Sequence, residues 1–153
     1  MATREDVYCK FGLAAEAGQL FEAELGTLLL GARALKDGWH ITPDLKAGRK
    51  LLDEIDRHTL GRLLGRVKTM VEFDESMDAG FVSALKSRNR LIHGFFELHN
   101  FQIQTDEGRD SMMIDLEALH TELFDAWQAA SAMTSALTKV LIEQQKNDPP
   151  LAR

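Results

Sequence analysis

Residues 7–38, VYCKFGLAAEAGQLFEAELGTLLLGARALKDG, carry the strongest structural pattern in the sequence. Small and apolar residues recur in it at alternating steps of four and three, at Val7, Phe11, Ala14, Gly18, Phe21, Leu25, Leu28, Ala32 and Leu35. This spacing keeps one side of a helix apolar and predicts a long helix that packs against other helices. Gly38 can take the left-handed conformation that often ends a helix, so we expect the helix to end there.

A second long stripe lies near the C-terminus, at Leu116, Leu119, Leu123, Ala126, Ala130, Met133, Leu137 and Val140. Two shorter helices are expected to follow the capping signals at Thr42-Pro43 and at Thr59. A third is expected from about residue 77 to residue 99, with Ser76 or Asp78 as its cap. Residues 102–110 show no pattern and are predicted to be a loop. The sequence therefore predicts an all-α bundle of four to five helices in which the two long helices pack antiparallel. We expect a single domain over residues 1–146 and a flexible tail over residues 147–153.

The composition limits the classes of function. With 44% hydrophobic and 27% charged residues, the 153-residue chain is globular rather than disordered. Its net charge of −6 argues against nonspecific coating of nucleic acid, which is usually the work of basic proteins. Cys9 is the only cysteine, so neither an intramolecular disulfide nor a cysteine-based zinc site is expected. We expect a cytoplasmic protein with no membrane contact, and a homodimer, because wide apolar stripes on a small bundle favour symmetric association.

The helix predicted from 77 to 99 contains SRNRLIHGFF, residues 87–96, where polar residues interrupt an apolar helix. Projected at about 100° per residue, an apolar arc contains Met77, Phe81, Leu85, Leu91, Ile92, Phe95 and Phe96. Arg88 falls inside this arc, and Asn89 and His93 lie together on one of its edges. Lys86, Arg90 and Glu97 fall on the opposite side, which we expect to face solvent.

These residue types suit the binding of a phosphodiester. A guanidinium cannot shed its charge, so Arg88 needs either an internal acid or a polar cleft. His93 can exchange protons near neutral pH, and Asn89 can hold either the imidazole or a ligand oxygen. The alternative from spacing alone is that Arg88 bridges to an acid on a neighbouring helix and His93 is a hydrogen-bonded core residue. Lys86 and Arg90 either extend a positive patch or form an ordinary solvated face.

The string from Arg88 to His93, Arg-Asn-x3-His, resembles the signature of the HEPN family, in which an arginine and a nearby histidine lie late in a helix of an all-α domain. The resemblance implies a metal-independent endoribonuclease, commonly a toxin or defence component, whose two protomers form one composite cleft. It implies that Arg88, Asn89 and His93 are catalytic and that Arg90 and Lys86 bind substrate, with no metal and no cofactor. The implied partners are RNA, a second copy of the chain, and an antitoxin or regulatory protein.

Phe95 departs from one pattern in this family. Toxins paired with a nucleotidyltransferase antitoxin often carry His-x-Tyr, and here the tyrosine position is Phe95, while Tyr8 is the only tyrosine. Neutralisation by modification of that position is therefore not expected. An alternative is a catalytically inactive HEPN-like module that binds nucleotide or RNA or acts as a regulatory adaptor. A further alternative is a plain helical dimer in which Arg88 is a buried ion pair.

Overall fold

The computed structural model describes residues 1–148, which are almost entirely helical. The elements are α1 (Arg4–Asp37), α2 (Leu45–Arg57), α3 (Leu60–Met70), α4 (Glu75–Leu98), the short 3-10 helix η1 (Gln102–Gln104) and α5 (Asp106–Asn147). Residues 1–148 contain no strand, so the prediction of an all-α bundle is confirmed. Within these residues no helix has both the length and the apolar character that a membrane span requires.

The chain divides into two compact units, and the division falls inside both long helices. Unit 1 comprises residues 1–21 and 75–128, and unit 2 comprises residues 22–74 and the chain from residue 129 onward. The largest fully buried side chains of unit 1 are Phe21, Phe81, Leu91, Phe95, Met112, Leu116 and Leu123. Those of unit 2 are Leu25, Leu28, Leu29, Leu60 and Leu63. The candidate site lies entirely in unit 1.

Within unit 1, helix α4 runs antiparallel to α1. The Phe11 and Phe95 ring centroids are 5.8 Å apart, and those of Phe21 and Phe81 are 5.5 Å apart. Residue numbers therefore increase along α1 in the direction in which they decrease along α4. Aromatic pairs at these distances stabilise helix packing through their buried area and favour specific relative orientations of the two rings. The aromatic residues of the two helices therefore fix their register.

The prediction that the two long helices pack antiparallel is wrong in unit 1. The Ala2 amide donates to Asp110 at 2.7 Å, and Lys10 forms an ion pair with Glu117 at 2.5 Å, so α1 and α5 run parallel there. The reason is that α4 lies antiparallel to α1, and the short turn after α4 returns the chain antiparallel again as α5. An apolar stripe specifies which side of a helix is buried, but it does not specify the direction of the neighbouring helix.

Two helix boundaries follow the sequence signals. Gly38 has φ 70° and follows directly after the last residue of α1, as its left-handed cap role predicts. Thr59 precedes α3, and its hydroxyl accepts a hydrogen bond from the Arg62 amide at 3.4 Å. Each cap satisfies a backbone group that the helix itself leaves without a partner.

Helix α2 begins later than predicted, at Leu45. Its N-cap is Asp44, whose carboxylate accepts a hydrogen bond from the Ala47 amide at 2.9 Å. Thr42 and Asp44 are both good capping residues on either side of Pro43, and the structure uses the second.

Removal of this cap is expected to lower the stability of the fold. We expect Asp44→Ala to decrease the free energy of unfolding by about 1 kcal/mol, measured by urea denaturation. Thr42→Ala is the matched control and should change it by less than about 0.5 kcal/mol, because Thr42 lies outside the helix. Equal effects of the two substitutions would contradict the assignment of Asp44 as the cap.

The prediction of a loop over residues 102–110 is wrong, because α5 already begins at Asp106. The Thr105 hydroxyl accepts a hydrogen bond from the Gly108 amide at 3.0 Å, which caps the helix. Arg109 donates to the Ala2 carbonyl at 2.6 Å and so ties this first turn to the N-terminus of the chain. Polar caps rather than an apolar stripe specify this helix start. At the other end α5 extends to Asn147, the first residue of the predicted tail, and residues 149–153 lie outside the described part.

Candidate functional site on helix α4

Helix α4 turns one of its faces to solvent, and the residues of the motif lie on it. Asn89, Ile92, His93 and Phe96 are all exposed, and their spacing of three and four places them in one stripe. Ile92 and Phe96 are 43% and 42% exposed, although both fall within the arc expected to be buried. The structure therefore presents a mixed polar and apolar stripe at the surface, which we call the α4 face.

Neighbouring residues of the motif set this orientation. Ser87 is buried, and its hydroxyl donates to the carboxylate of Glu122 on α5, as does Ser83 at 2.8 Å. The next residue, Arg88, is turned toward α1, where a methyl group at Gly18 would lie 3.5 Å from the Arg88 Cγ. With positions 87 and 88 directed at α5 and α1, the α4 face is left pointing outward. Glu122 is a carboxylate partner for Ser87 that sequence spacing did not reveal.

Arg88 is half-buried, as an arginine inside the predicted apolar arc should be. Its terminal nitrogen donates a long hydrogen bond of 3.4 Å to the Asn89 side-chain oxygen. The guanidinium has further interactions within the folded chain, so it is not a free group. A guanidinium has five N–H donors, however, and can keep existing partners while it contacts an oxyanion.

His93 is exposed and has no hydrogen bond within residues 1–148. The alternative that His93 is a hydrogen-bonded core residue therefore does not apply. Asn89 lies one helical turn before it, also exposed, on the same face. Lys86 is likewise exposed and, from its spacing, lies within one turn of Asn89. An imidazole, an amide and an ammonium group thus lie on the solvent-facing side of α4, and Arg88 donates to the amide of this set from the inward side.

Arg90, the second predicted substrate-binding residue, is already engaged. Its guanidinium forms an ion pair with Asp115 of α5, and the same carboxylate accepts a hydrogen bond of 2.6 Å from the buried His99 ring. The other ring nitrogen of His99 lies 2.8 Å from the Gln102 side-chain oxygen. Burial raises the pKa of Asp115, but the hydrogen bonds from Arg90 and His99 outweigh it and hold the pKa below its ordinary value. Asp115 therefore neutralises part of the positive charge that the motif supplies.

The contacts of Asp115 with Arg90 and His99 make the stability of the protein depend on pH. A carboxylate with a depressed pKa in the folded state stabilises the fold above the unfolded pKa of about 3.9, and this contribution is lost as the pH falls through the folded pKa. We expect Asp115→Asn to lower the free energy of unfolding at neutral pH, and the difference from the natural protein to shrink below about pH 4. Urea denaturation across this pH range measures it. A difference that stays constant with pH would contradict this role of Asp115.

Two aromatic residues near the motif, Phe95 and Tyr8, have opposite surroundings. Phe95 is only 1% exposed, and its ring packs against Phe11 and His99, so the position that is tyrosine in some HEPN toxins is a core position here. Tyr8, distant in sequence, has its ring centroid 6.2 Å from that of Phe96 and is 54% exposed. The fold thus places the single tyrosine beside the α4 face. No local signal in the sequence indicates this, because Tyr8 lies beside the α1 stripe rather than in it and its contact with Phe96 depends on the α1–α4 register.

No set of metal ligands forms within residues 1–148: no three His, Cys, Asp or Glu side chains are placed to hold an ion. In particular, His99 is turned toward Asp115 and Gln102, whereas His93 faces solvent. The spacing places His99 on a different side of the chain from His93 and Glu97, which lie one turn apart on α4.

Comparison of the chain with known proteins finds no matching family model, no matching curated protein and no matching solved structure.

Proposed function

We propose that this protein is a metal-independent endoribonuclease of the HEPN type, as the resemblance of the motif implies. The observation that carries the proposal is that His93 is exposed and without a hydrogen-bond partner in the described chain, while Asn89 lies one turn away and accepts a hydrogen bond from Arg88. A histidine with no structural partner on an otherwise well-packed helix is available for proton transfer.

The proposed reaction uses the ribose 2′-hydroxyl of RNA as the nucleophile. His93 accepts the proton of this hydroxyl, and the oxygen attacks the adjacent phosphorus. The bond from phosphorus to the 5′-oxygen of the next nucleotide breaks, and that oxygen takes up a proton from an acid in the site. The products are a 2′,3′-cyclic phosphate and a 5′-hydroxyl. DNA lacks the nucleophile and should not be cleaved.

Arg88 and Asn89 have supporting roles in this proposal. Negative charge accumulates on the phosphate oxygens in the transition state, and a guanidinium held behind the reacting group stabilises it by charge-assisted hydrogen bonds. The partial burial of Arg88 limits solvent competition for its donors. Asn89 orients either the imidazole or the phosphate through its amide.

A second copy of the chain would complete the site. Tyr8, Ile92 and Phe96 expose apolar side chains next to the polar motif, and pairing of two α4 faces would cover these and bring two His93 side chains together. One imidazole then serves as base and the other as the acid for the leaving oxygen. Lys86 is the best-placed residue to attract the RNA backbone, because Arg90 is paired with Asp115.

The test is cleavage of RNA by the purified protein in EDTA. Single-stranded RNAs of varied sequence and transfer RNAs are incubated with the protein between about pH 6 and 8, where imidazole can both accept and donate protons. We expect cleavage fragments that end in a 2′,3′-cyclic phosphate. If all of these RNAs stay intact across this range, the catalytic proposal is overturned.

A non-catalytic module that binds RNA or nucleotide is the second candidate. The pairing of Arg90 with Asp115 and the net charge of −6 favour it, because both reduce the positive charge available to hold a long substrate. It predicts RNA binding that depends on Lys86 but produces no fragments. The EDTA assay, run alongside a binding titration, separates the two candidates.

A further inference from the structure

Two adjacent hollows in unit 2 share Trp39 as a common wall. The first, which we call the apolar hollow, has a volume of about 310 Å³. Its lining is mostly apolar, from Leu30, Trp39, Pro43, Leu45, Gly48 and Leu52, and Asp44 and Arg49 add one charge of each sign. The second, the polar hollow, has a volume of about 190 Å³, and its polar lining comes from Arg33, Lys50 and Glu54. An apolar and a charged depression side by side can recognise two different groups of one ligand.

The shared wall is held in place by backbone hydrogen bonds. The Trp39 amide donates to the Ala34 carbonyl at 2.9 Å, and the Thr42 amide donates to the Gly38 carbonyl at 2.9 Å. Gly38 supplies the left-handed conformation that this turn requires, with φ 70°. The indole is therefore presented by a closed turn rather than by a loose loop, which lowers the entropic cost of binding against it.

The polar hollow has an excess of positive charge. Arg33 is paired with Asp37 at 2.5 Å, and Glu54 is paired with Arg66 at 2.9 Å, so each of these charges is balanced. Lys50 is exposed and has no ion pair within residues 1–148. Its ammonium group is thus the unbalanced charge of this hollow, and a carboxylate is its natural complement.

The rim of the apolar hollow also combines apolar side chains with unpaired positive charges. Leu45 and Leu52, on the outer side of α2, are 76% and 45% exposed, an unfavourable state for large aliphatic side chains in water. Lys46 and Arg49 lie between them on α2, both exposed and without an ion pair in the described part of the chain. Exposed aliphatic residues flanked by unpaired cations match an apolar ligand that carries negative charge.

We infer that the two hollows form a docking site for an acidic peptide segment of a partner protein. A large apolar side chain of the peptide fills the apolar hollow against Trp39 and Leu52, and a neighbouring Asp or Glu side chain meets Lys50 in the polar hollow. This site lies in unit 2, and it does not depend on whether the α4 face cleaves RNA.

A polyanionic surface is a poorer fit than a peptide. Asp53 and Asp56, in the C-terminal half of α2, are exposed, and Asp53 lies one helical turn from both Arg49 and Lys50. Continuous negative charge, as on RNA or an anionic membrane, would be repelled by these carboxylates. A peptide can place one or two acidic side chains at Lys50 and Arg49 and keep Asp53 and Asp56 clear of like charge.

The test uses a display library of random peptides of about 12 residues, selected on the full-length protein. Selected peptides are synthesised and titrated into a Trp127→Phe variant, in which Trp39 is the only tryptophan and its fluorescence reports occupancy. We expect enrichment of sequences that place Asp or Glu near Leu, Phe or Trp. We expect Leu45→Ser and Lys50→Glu each to weaken binding about tenfold or more.

Matched controls lie on α5 in the same unit. Ile142→Ser changes another exposed aliphatic residue and Lys139→Glu another exposed cation, and both should leave peptide affinity unchanged. The proposal is overturned by a selection that enriches no acidic and apolar sequences, or by peptides whose affinity Leu45→Ser and Lys50→Glu do not alter. It is equally overturned if only RNA or phosphatidylserine vesicles, and no peptide, change the Trp39 fluorescence through this surface.

Discussion

Replacement of His93 by alanine is expected to abolish RNA cleavage while the protein stays folded. A general acid or base contributes about 10²–10⁴-fold to the reaction rate. If two copies of the chain form the site, His93→Ala removes both the base and the acid, because both copies carry the substitution. The stability of the variant should change by less than about 0.5 kcal/mol, because the side chain is exposed and makes no hydrogen bond in the described chain. Initial rates of fragment formation and urea denaturation, measured on the same preparation, provide both values.

Two variants serve as controls for His93→Ala. His58→Ala removes a histidine of unit 2, at the C-terminal end of α2, that belongs to no part of the motif, and should leave the rate unchanged. Asn89→Ala should lower the rate less than His93→Ala does, because the amide positions groups and transfers no proton. Cleavage by His93→Ala at the rate of the natural protein would contradict the proposed role of His93 and would point to another catalytic group.

The second large effect is expected from two neighbouring phenylalanines with opposite surroundings. Phe95 is 1% exposed, so Phe95→Ala should lower the free energy of unfolding by about 3–5 kcal/mol through lost burial and the cavity that remains. Phe96 is 42% exposed, and Phe96→Ala should cost only about 1 kcal/mol. Denaturant unfolding at a fixed protein concentration measures both variants. Equal losses would contradict the orientation of α4.

Phe96 should matter for association instead. If the α4 face pairs with that of a second copy, Phe96→Ala is expected to weaken the dimer about tenfold or more, because buried aromatic side chains dominate interface energies. Sedimentation at several protein concentrations measures the dissociation constant. The natural protein sedimenting as a monomer at all of these concentrations would contradict a composite site.

Much of the helical architecture was predictable because each signal is local. The three-and-four spacing from Val7 to Leu35 predicts α1, and Gly38 and Thr59 mark boundaries that the structure confirms. Signals of this kind depend only on residues within one or two turns. Helix starts with two competing caps, as at Thr42 and Asp44, are less certain because the choice depends on how the preceding turn is held.

The relative direction of α1 and α5 was not predictable from these patterns. A stripe such as Leu116 to Leu137 is the same whether its neighbour runs up or down. The direction depends on α4, whose aromatic residues Phe81 and Phe95 pair with Phe21 and Phe11 in reverse order. Contacts between residues far apart in sequence carry this information.

The angular positions of the motif residues on their helix were predictable, but the contacts that neighbouring helices make with them were not. A helical projection gives the angle of each residue, and it correctly turns Arg88 inward and leaves Asn89 at an edge. It does not tell how much of an apolar arc the neighbouring helices cover, so Ile92 and Phe96 were expected to be buried. It also cannot reveal that Asp115 engages Arg90, since these residues lie on separate helices.

The most direct measurement is cleavage, in EDTA, of an RNA in which the ribose at one mapped cleavage point is replaced by 2′-deoxyribose. We expect the parent RNA to give a 2′,3′-cyclic phosphate at this point and the deoxy-substituted RNA not to be cut there. Cleavage of both RNAs at equal rates, or cleavage that occurs only when a divalent metal is added, would contradict the proposed mechanism.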